Sequence, residues 1–500
     1  MSDPRKLLSR SRMDSHTCIL CHDAPCSKAC DRCDPARILR ALRFDNTDGA
    51  ADLLPDDYDR SWTQEAENAC PAGVMIGEIL EDLKRRKPDL EGTAGTDKVD
   101  LSCDLCGVKM ENPFLLSSSI VASTYDMCAR AFEMGWAGAA FKTISMMTMH
   151  EASPRFSCVR EPRGDWYGFK NIEQLSTYTV EQNMECIRKL KQNYPSKVIV
   201  ASIMGRNEEE WEELARRCTE AGADVIECNF SCPNMETRGT GSDIGQDPDA
   251  VRRFTAAVRR GTRIPVLAKM TPNITDITVP AAAALDGGAD GIAAINTIKS
   301  VTGVNLDTMV AFPSVHGKSI VGGYSGRAVK PIALRHIAML ASCDRIKDSH
   351  ISGMGGIVTW KDAVEFLLLG ADSLQITTAV MEYGYRIIDD LIWGLKIYLA
   401  QRNYRSVKEV FRSSLPDLVE NDMLERDTIV FPRFNKEKCI GCGRCYLSCR
   451  DGGHQAISFD PETRTVTLHG SRCVGCQLCS LVCQTGAIRQ SKRVQPRRKQ

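Results

Sequence analysis

A chain of 500 residues, 43% of them hydrophobic, is too long for one ordinary domain and carries enough apolar material for about two or three. Its 64 basic and 64 acidic residues cancel, so no overall positive field marks a nucleic-acid partner. No apolar run approaches the ~20 residues a membrane span needs. The opening MSDPRKLLSRSRMDSH lacks the apolar stretch of a secretory signal, so a cytoplasmic location is expected.

The first segment, 1–95, reads as a small helical cysteine-rich domain. It holds Cys18, Cys21, Cys26, Cys30, Cys33 and Cys70, and the 23 cysteines of the chain recur in CxxC spacings that favour metal ligation over disulfides. Six thiolates cannot supply the eight ligands of two all-cysteine clusters. One [4Fe–4S] cluster is expected, held by Cys18, Cys21 and Cys26 with Cys30 or Cys70 as the fourth ligand. A zinc site or a degenerate remnant are the alternatives. The stretch EDLKRRKPDLEGTAGTDK closes the segment as a helix end and linker.

The second segment, 96–426, alternates short apolar runs with helical patterns such as NEEEWEELARRCTEAGA and DAVRRFTAAVRRG. Eight strands are predicted: NPFLLSSS, AGAAFKTIS, KVIVASIM, DVIECNFSC, PVLAKMT, GIAAINT, HISGMGGI and SLQITTAV. Eight such units predict an α/β fold, a (β/α)8 TIM barrel, in preference to a doubly wound sheet.

Barrels of this kind place their chemistry at the C-terminal ends of the strands. Ser118 follows the first run, Lys142 and Thr143 end the second, and Asn229 and Cys232 end the fourth. Lys269 ends the fifth, Asn296 and Thr297 the sixth, Gly355 and Gly356 the seventh, and Thr377 and Thr378 the eighth.

The Gly-Gly and Thr-Thr pairs predict a phosphate site of backbone N–H groups and hydroxyls. Two lysines on buried strands need an anion, which an electron-rich flavin ring would provide or a structural carboxylate would replace. Asn171, Asn229 and Asn296 offer amides that could read a flat heterocycle. Cys232, in the turn before Pro233, is a candidate general acid. Its alternative is a buried core thiol.

The third segment, 427–490, carries Cys439-x2-Cys442-x2-Cys445-x3-Cys449 and Cys473-x2-Cys476-x2-Cys479-x3-Cys483. This is the spacing of a bacterial ferredoxin with two [4Fe–4S] clusters, in which the fourth cysteine of each run ligates the other cluster. One cluster is therefore expected on Cys439, Cys442, Cys445 and Cys483, the other on Cys473, Cys476, Cys479 and Cys449. Arg450 and Gln484 stand where the usual run has proline. Residues 491–500 read as a basic solvated tail. The other cysteines, including the Cys103-x2-Cys106 pair, are expected to be structural.

SPRF at 153–156, GFKNIEQLS at 168–176, CNFSCPN at 228–234, AKMTPNITD at 268–276, AAINT at 293–297 and GGYSG at 322–326 carry a family resemblance. The chain resembles the dihydroorotate dehydrogenase superfamily, and within it the catalytic subunits of the dihydropyrimidine dehydrogenases. The resemblance implies an FMN-type barrel, with FMN at Ser118, Lys142, Thr143, Lys269, Gly326, Met354, Gly355, Gly356, Thr377 and Thr378. It implies substrate contacts at Asn171, Asn229, Phe230, Ser231, Asn296 and Thr297, a supporting Glu173, and Cys232 as the catalytic proton donor.

The activity implied is reversible reduction of uracil or thymine to 5,6-dihydropyrimidines. Alternatives are dihydroorotate oxidation, reduction of another conjugated heterocycle, or electron transfer by a protein with an inactive barrel. No GxGxxG follows a strand with an acidic residue about twenty positions on. NAD(P)H would then be oxidised elsewhere, and the resemblance implies a separate FAD/NAD(P)-binding oxidoreductase subunit, in a hetero-oligomer. The N-terminal cysteines resemble a cluster domain usually found on that partner or on single-chain forms.

Overall fold

The computed structural model describes residues 15–161, 164–235 and 239–496. Eight parallel strands close into a barrel: β1 (Phe114–Leu116), β2 (Gly138–Ile144), β3 (Val198–Ile203), β4 (Val225–Asn229), β5 (Val266–Lys269), β6 (Gly291–Ala294), β7 (His350–Met354) and β8 (Ser373–Ile376). They follow one another around the barrel, and β8 pairs back onto β1. Each sequence-predicted run contains one of them. The runs are nearly unbroken in apolar and small residues because both faces of a parallel strand are covered. β2, β3 and β4 are buried at every position.

The outer helices are α1 (Tyr125–Glu133), α2 (Val180–Asn193), α3 (Glu208–Glu220), α4 (Pro248–Gly261), α5 (Thr278–Asp286), α6 (Lys330–Ser342), α7 (Trp360–Leu368) and α8 (Ile387–Gln401). The two helical patterns singled out in the sequence become α3 and α4. Asn207 accepts from the Glu210 N–H to start α3, whose buried face is Trp211, Leu214, Ala215 and Cys218. Asp247 caps α4 in the same way, with Pro248 in the first turn where a missing N–H is harmless.

Long excursions after β2 and β6 form a four-stranded antiparallel sheet that period and composition did not predict. Its order is Ile298–Ser300, Gly322–Ser325, Trp166–Asn171, Phe156–Arg160. At the opposite end, the hairpin Cys103–Leu105 with Val108–Met110 lies under the barrel. A Cβ built on Gly291, the first residue of β6, would lie 3.0 Å from Cys106 Sγ. That contact accords with a structural role for this cysteine pair.

The N-terminal domain packs Pro35–Arg43, Thr47–Leu53 and Ile76–Arg86 around Ile38, Leu39, Ile79, Leu80 and Leu83. It is docked onto α7 and α8. Asn46 Nδ2 donates to the Asp390 carbonyl at 2.9 Å, and Trp360 Nε1 donates to the Asp45 carbonyl at 3.2 Å. Leu20 and Phe44 join the barrel's own hydrophobic core.

The C-terminal module has a separate small core that includes Cys445, Cys449, Ala456, Ile457, Cys479 and Ile488. Thr428–Phe434 pairs there with Ile488–Pro496. The basic segment expected to be a solvated tail therefore forms a strand as far as Pro496, because the first strand of the module offers it a partner edge. The end of that segment, 497–500, lies outside the described residues. Among the described residues no helix is long and apolar enough to cross a membrane.

Candidate active site

A cavity of about 1150 Å³, its open mouth included, occupies the C-terminal end of the barrel. Every position expected to contact FMN lines it: Ser118, Lys142, Thr143, Lys269 and Gly326, and also Met354, Gly355, Gly356, Thr377 and Thr378. Asn171, Asn229, Asn296, Thr297, Glu173 and Cys232 line it as well. The antiparallel sheet supplies Trp166, Phe169, Asn171, Tyr324 and Ser325 as the outer wall.

Phe230 and Ser231 do not line the cavity. Phe230 is fully buried and packs against Trp211, ring centroids 5.2 Å apart, so it belongs to the core behind β4. Ser231 is also fully buried and links two wall amides. Its Oγ donates to Asn229 Oδ1 at 2.9 Å and accepts from Asn296 Nδ2 at 2.8 Å. Asn229 Nδ2 donates in turn to Thr143 Oγ1 at 2.8 Å. Asn234, which the sequence reading did not single out, holds Asn171 by a 3.1 Å bond to Oδ1 and also donates to the Glu173 carbonyl at 2.8 Å. The amides are thus fixed before any ligand arrives.

The two lysines at the strand ends each have a carboxylate. Lys142 Nζ lies 3.4 Å from Glu173 Oε2, whose other oxygen meets Arg155 Nε at 3.0 Å. Lys269 Nζ lies 3.4 Å from Glu227 Oε1 and donates to Ser117 Oγ at 3.1 Å. Of the two anions expected for these ammoniums, the structural carboxylate is the one present: both are already paired within the protein.

Glu227 is fully buried and is held by Gln375 Nε2 at 3.1 Å. Gln375 also donates to Ser352 Oγ, which accepts from Ser373 Oγ, which meets His350 Nε2 at 2.9 Å. A polar column thus fills a barrel interior usually packed with branched apolar side chains. Glu227 in VIECN and Gln375 in SLQI interrupt otherwise buried strands, and that interruption was the signal available in the sequence.

At the far end of the cavity Gly355 and Gly356 have φ of 126° and 82°, which side chains adopt only under strain. A Cβ on Gly356 would lie 2.9 Å from the Gly326 carbonyl oxygen. The β7 end and the turn at Gly326 therefore come together as bare backbone. Ser325 and Thr378 hydroxyls meet there at 2.9 Å, and Arg327, missed by strand-end reasoning, lines the same end.

The donor set suits FMN: the ammoniums and amides at the β2, β4 and β5 ends would suit a flat ring, and the hydroxyls, bare backbone and guanidinium at the β7 and β8 ends would suit a phosphate.

Cys232 is 6% exposed. Burial pushes its thiol up to about 11, partly opposed by the Asn234 backbone N–H and by Lys142. The group is therefore protonated across the neutral range. Alkylation of the Cys232 peptide by iodoacetamide should be slow at pH 7 and rise about tenfold per pH unit until the thiol ionises. A rate already level at pH 7 to 8 would show an ionised thiolate instead.

In the C-terminal module, Cys449, Cys473, Cys476 and Cys479 line one hollow, the four cysteines expected to share a cluster. The two CxxCxxC turns repeat one backbone shape. Gly441 and Gly475 are left-handed, as are Gly443 and Gln477 after the second cysteine of each run. In the N-terminal domain, Cys18, Cys21, Cys26 and Cys70 line a second hollow. Cys30 and Cys33 stand apart from it, their sulfurs 3.4 Å from each other.

A parallel eight-stranded barrel with this polar mouth, joined to a two-run cysteine module, defines an iron–sulfur oxidoreductase of the flavin-barrel type. The family model for dihydroorotate dehydrogenase matches residues 100–399, and a 4Fe-4S dicluster domain matches residues 433–490. The chain belongs to the dihydroorotate dehydrogenase family.

It is 54% identical over 367 residues to the NAD-dependent dihydropyrimidine dehydrogenase subunit PreA of Escherichia coli strain K12, covering 73% of this chain and 89% of that protein. It is 38% identical to the chloroplastic dihydropyrimidine dehydrogenase (NADP(+)) of Arabidopsis thaliana, over 65% of this chain and 79% of the other. The catalytic subunit of dihydroorotate dehydrogenase B (NAD(+)) from Pyrococcus abyssi is 39% identical, over 63% and 99%. The N-terminal domain precedes the stretch that the dehydrogenase model matches.

Proposed function

We propose that this chain is the catalytic subunit of a dihydropyrimidine dehydrogenase, reducing uracil or thymine reversibly to the 5,6-dihydropyrimidine. The observation that carries this reading is Cys232, a protonated thiol in the wall of a cavity whose other walls are asparagines and paired lysines. The similarity to PreA supports the substrate class.

FMN, when bound, supplies the hydride that adds to C6 of the pyrimidine. Lys142 and Lys269 would face its ring, and Arg327, Gly326, Gly355, Gly356, Thr377 and Thr378 its phosphate. Asn171, Asn229 and Asn296 present donors and acceptors to the carbonyl and N–H edges of the pyrimidine. Cys232 gives its proton to C5. The thiolate left behind is stabilised by Lys142 and the Asn234 N–H, the groups that already pull the thiol down against its burial. Phe230 and Ser231 act from behind the wall: Ser231 aligns Asn229 with Asn296, and Phe230 backs the loop that carries Cys232.

The C-terminal cysteines would hold two [4Fe–4S] clusters in the crossed arrangement given by their spacing, a reading supported by the hollow of Cys449, Cys473, Cys476 and Cys479. The N-terminal hollow supports Cys70 over Cys30 as the fourth ligand of a third cluster, since Cys30 faces Cys33. Anaerobically reconstituted chain should carry about twelve irons. A count of about eight would remove the N-terminal cluster. Electrons would come from NAD(P)H through a separate FAD-bearing subunit.

The direct test supplies reduced viologen to the anaerobic holoprotein in place of that subunit, with uracil, thymine and orotate offered separately. Dihydrouracil or dihydrothymine is the expected product by chromatography. Product from orotate alone would transfer the assignment to dihydroorotate chemistry. No product from any of the three, with FMN and iron intact, would leave an inactive barrel that only carries electrons.

A further inference from the structure

The phosphate end of the cavity holds a guanidinium with a donor to spare. Arg327 lines the cavity, and its Nη2 donates to the Tyr383 hydroxyl at 3.1 Å. Its Nε is buried with no hydrogen-bond partner among the described residues. Burial works against its charge, but Tyr383, Asp165 and Glu382 more than offset that and hold the group above the ordinary guanidinium range. Two carboxylates therefore lie within electrostatic reach of Arg327, and either would compete with a phosphate for it.

Both carboxylates are already engaged. Glu382 Oε1 accepts the Trp166 N–H at 2.7 Å. Asp165, next to Trp166 in the chain, pairs with Arg43 of the N-terminal domain, and its other oxygen lies 3.6 Å from His16 Nδ1. The side chains of Arg43 and Asp165 are only 8% and 7% exposed. Arg43 is itself fixed, because its Nη1 donates to the carbonyls of His16 and Cys18, both at 2.8 Å. Tyr383 meets both guanidiniums: its hydroxyl accepts from Arg327, and its ring centroid lies 5.6 Å from Arg43. Phe44 closes the seam edge-on against the same ring, centroids 5.2 Å apart.

Without Arg43, Asp165 would be a buried carboxylate with only His16 beside it. Such a charge acts twice against a phosphate: it draws Arg327 toward itself, and it repels the dianion directly.

We propose that Arg43 is a positioning residue for the cofactor: it neutralises Asp165, leaves Arg327 to the FMN phosphate, and so makes the N-terminal domain part of the flavin site. This rests on the reading that the phosphate of FMN sits beside Arg327 at the β7 and β8 ends. It gives the N-terminal domain a role in cofactor retention that needs nothing bound at its cysteines.

The test uses anaerobically reconstituted full-length chain freed of flavin, titrated with FMN and with riboflavin while flavin fluorescence is followed. Riboflavin carries the ring without the phosphate, so it reports the ring site alone. The variants are Arg43→Met, Arg43→Met with Asp165→Asn, and Arg327→Met with and without Asp165→Asn. Iron content and the urea midpoint report whether each variant is folded. Should Arg43→Met not fold, Arg43→Gln replaces it, since the amide can still donate to a backbone carbonyl.

Arg43→Met is expected to bind FMN about tenfold or more weakly than the parent, the scale of losing one hydrogen bond to a charged group, and to bind riboflavin as the parent does. Adding Asp165→Asn should restore FMN affinity, because the competing charge has gone. Arg327→Met should weaken FMN to a similar degree, and Asp165→Asn should not rescue it. Unchanged FMN affinity in Arg43→Met would overturn the proposal. An equal loss of riboflavin affinity, or a double variant that stays weak, would overturn it too, by giving Arg43 a packing role. An Arg327→Met chain that holds FMN like the parent would overturn the phosphate reading beneath the proposal. None of these outcomes decides the pyrimidine chemistry, which the viologen assay measures separately.

Discussion

Replacing Cys232 with alanine is expected to reduce pyrimidine reduction by about 10²- to 10⁴-fold, the range for losing a positioned proton donor, with FMN still bound. The thiol is the wall group proposed as the proton donor, and burial keeps it neutral at working pH. Asn171, Asn229 and Asn296 stay in place without it, because Asn234, Thr143 and Ser231 hold them. Substrate KM should therefore change little while kcat falls. The measurement is steady-state reduction with an artificial donor, alongside the flavin-to-protein absorbance ratio. Turnover within threefold of the parent would sink the proton-donor role. A lost flavin with lost turnover would instead give Cys232 a structural part.

The second large effect is expected from Glu227→Gln. This carboxylate is wholly buried, takes one bond from Gln375, and is the carboxylate beside Lys269. The amide keeps its shape and removes its charge, leaving an ammonium that is itself 3% exposed. Breaking a buried pair by removing one member costs about 3–5 kcal/mol, so the flavin-free chain should unfold at markedly lower urea. Flavin binding should recover part of the loss, because an electron-rich ring near Lys269 supplies what Glu227 no longer does, and a ligand that binds only the folded state stabilises it. Urea unfolding of the flavin-free and flavin-bound forms measures both effects. A flavin-free variant within 1 kcal/mol of the parent would show that Lys269 is satisfied without Glu227.

The sequence alone determined the eight strands and the ring of polar residues at their ends. Parallel strands covered on both faces must be written as short apolar runs, and the first polar residues after each run fall at the mouth. It also determined the 4Fe-4S dicluster character of the C-terminal segment, because a tight CxxCxxC turn is a local object whose spacing carries its geometry. The Gly-Gly and Thr-Thr pairs were legible for the same reason: each is read within a few residues.

Only the tertiary structure decided what depends on residues far apart in the chain. Phe230 and Ser231 sit three and two residues before Pro233 in a promising loop, yet the turn aims one into the core and the other behind two asparagines. The lysines looked unpartnered because their carboxylates come from a neighbouring strand and from an excursion: Glu227 on β4 reaches Lys269 on β5, and Glu173 follows Trp166–Asn171.

The antiparallel wall is built from strands on two excursions more than a hundred residues apart, each strand too short to show a period of its own. Spacing left Cys30 and Cys70 as equal candidates, whereas packing of the N-terminal helices brings Cys70 to the hollow and turns Cys30 toward Cys33. Spacing fixes local turns, but which side chains share a cavity is settled by how the turns are packed.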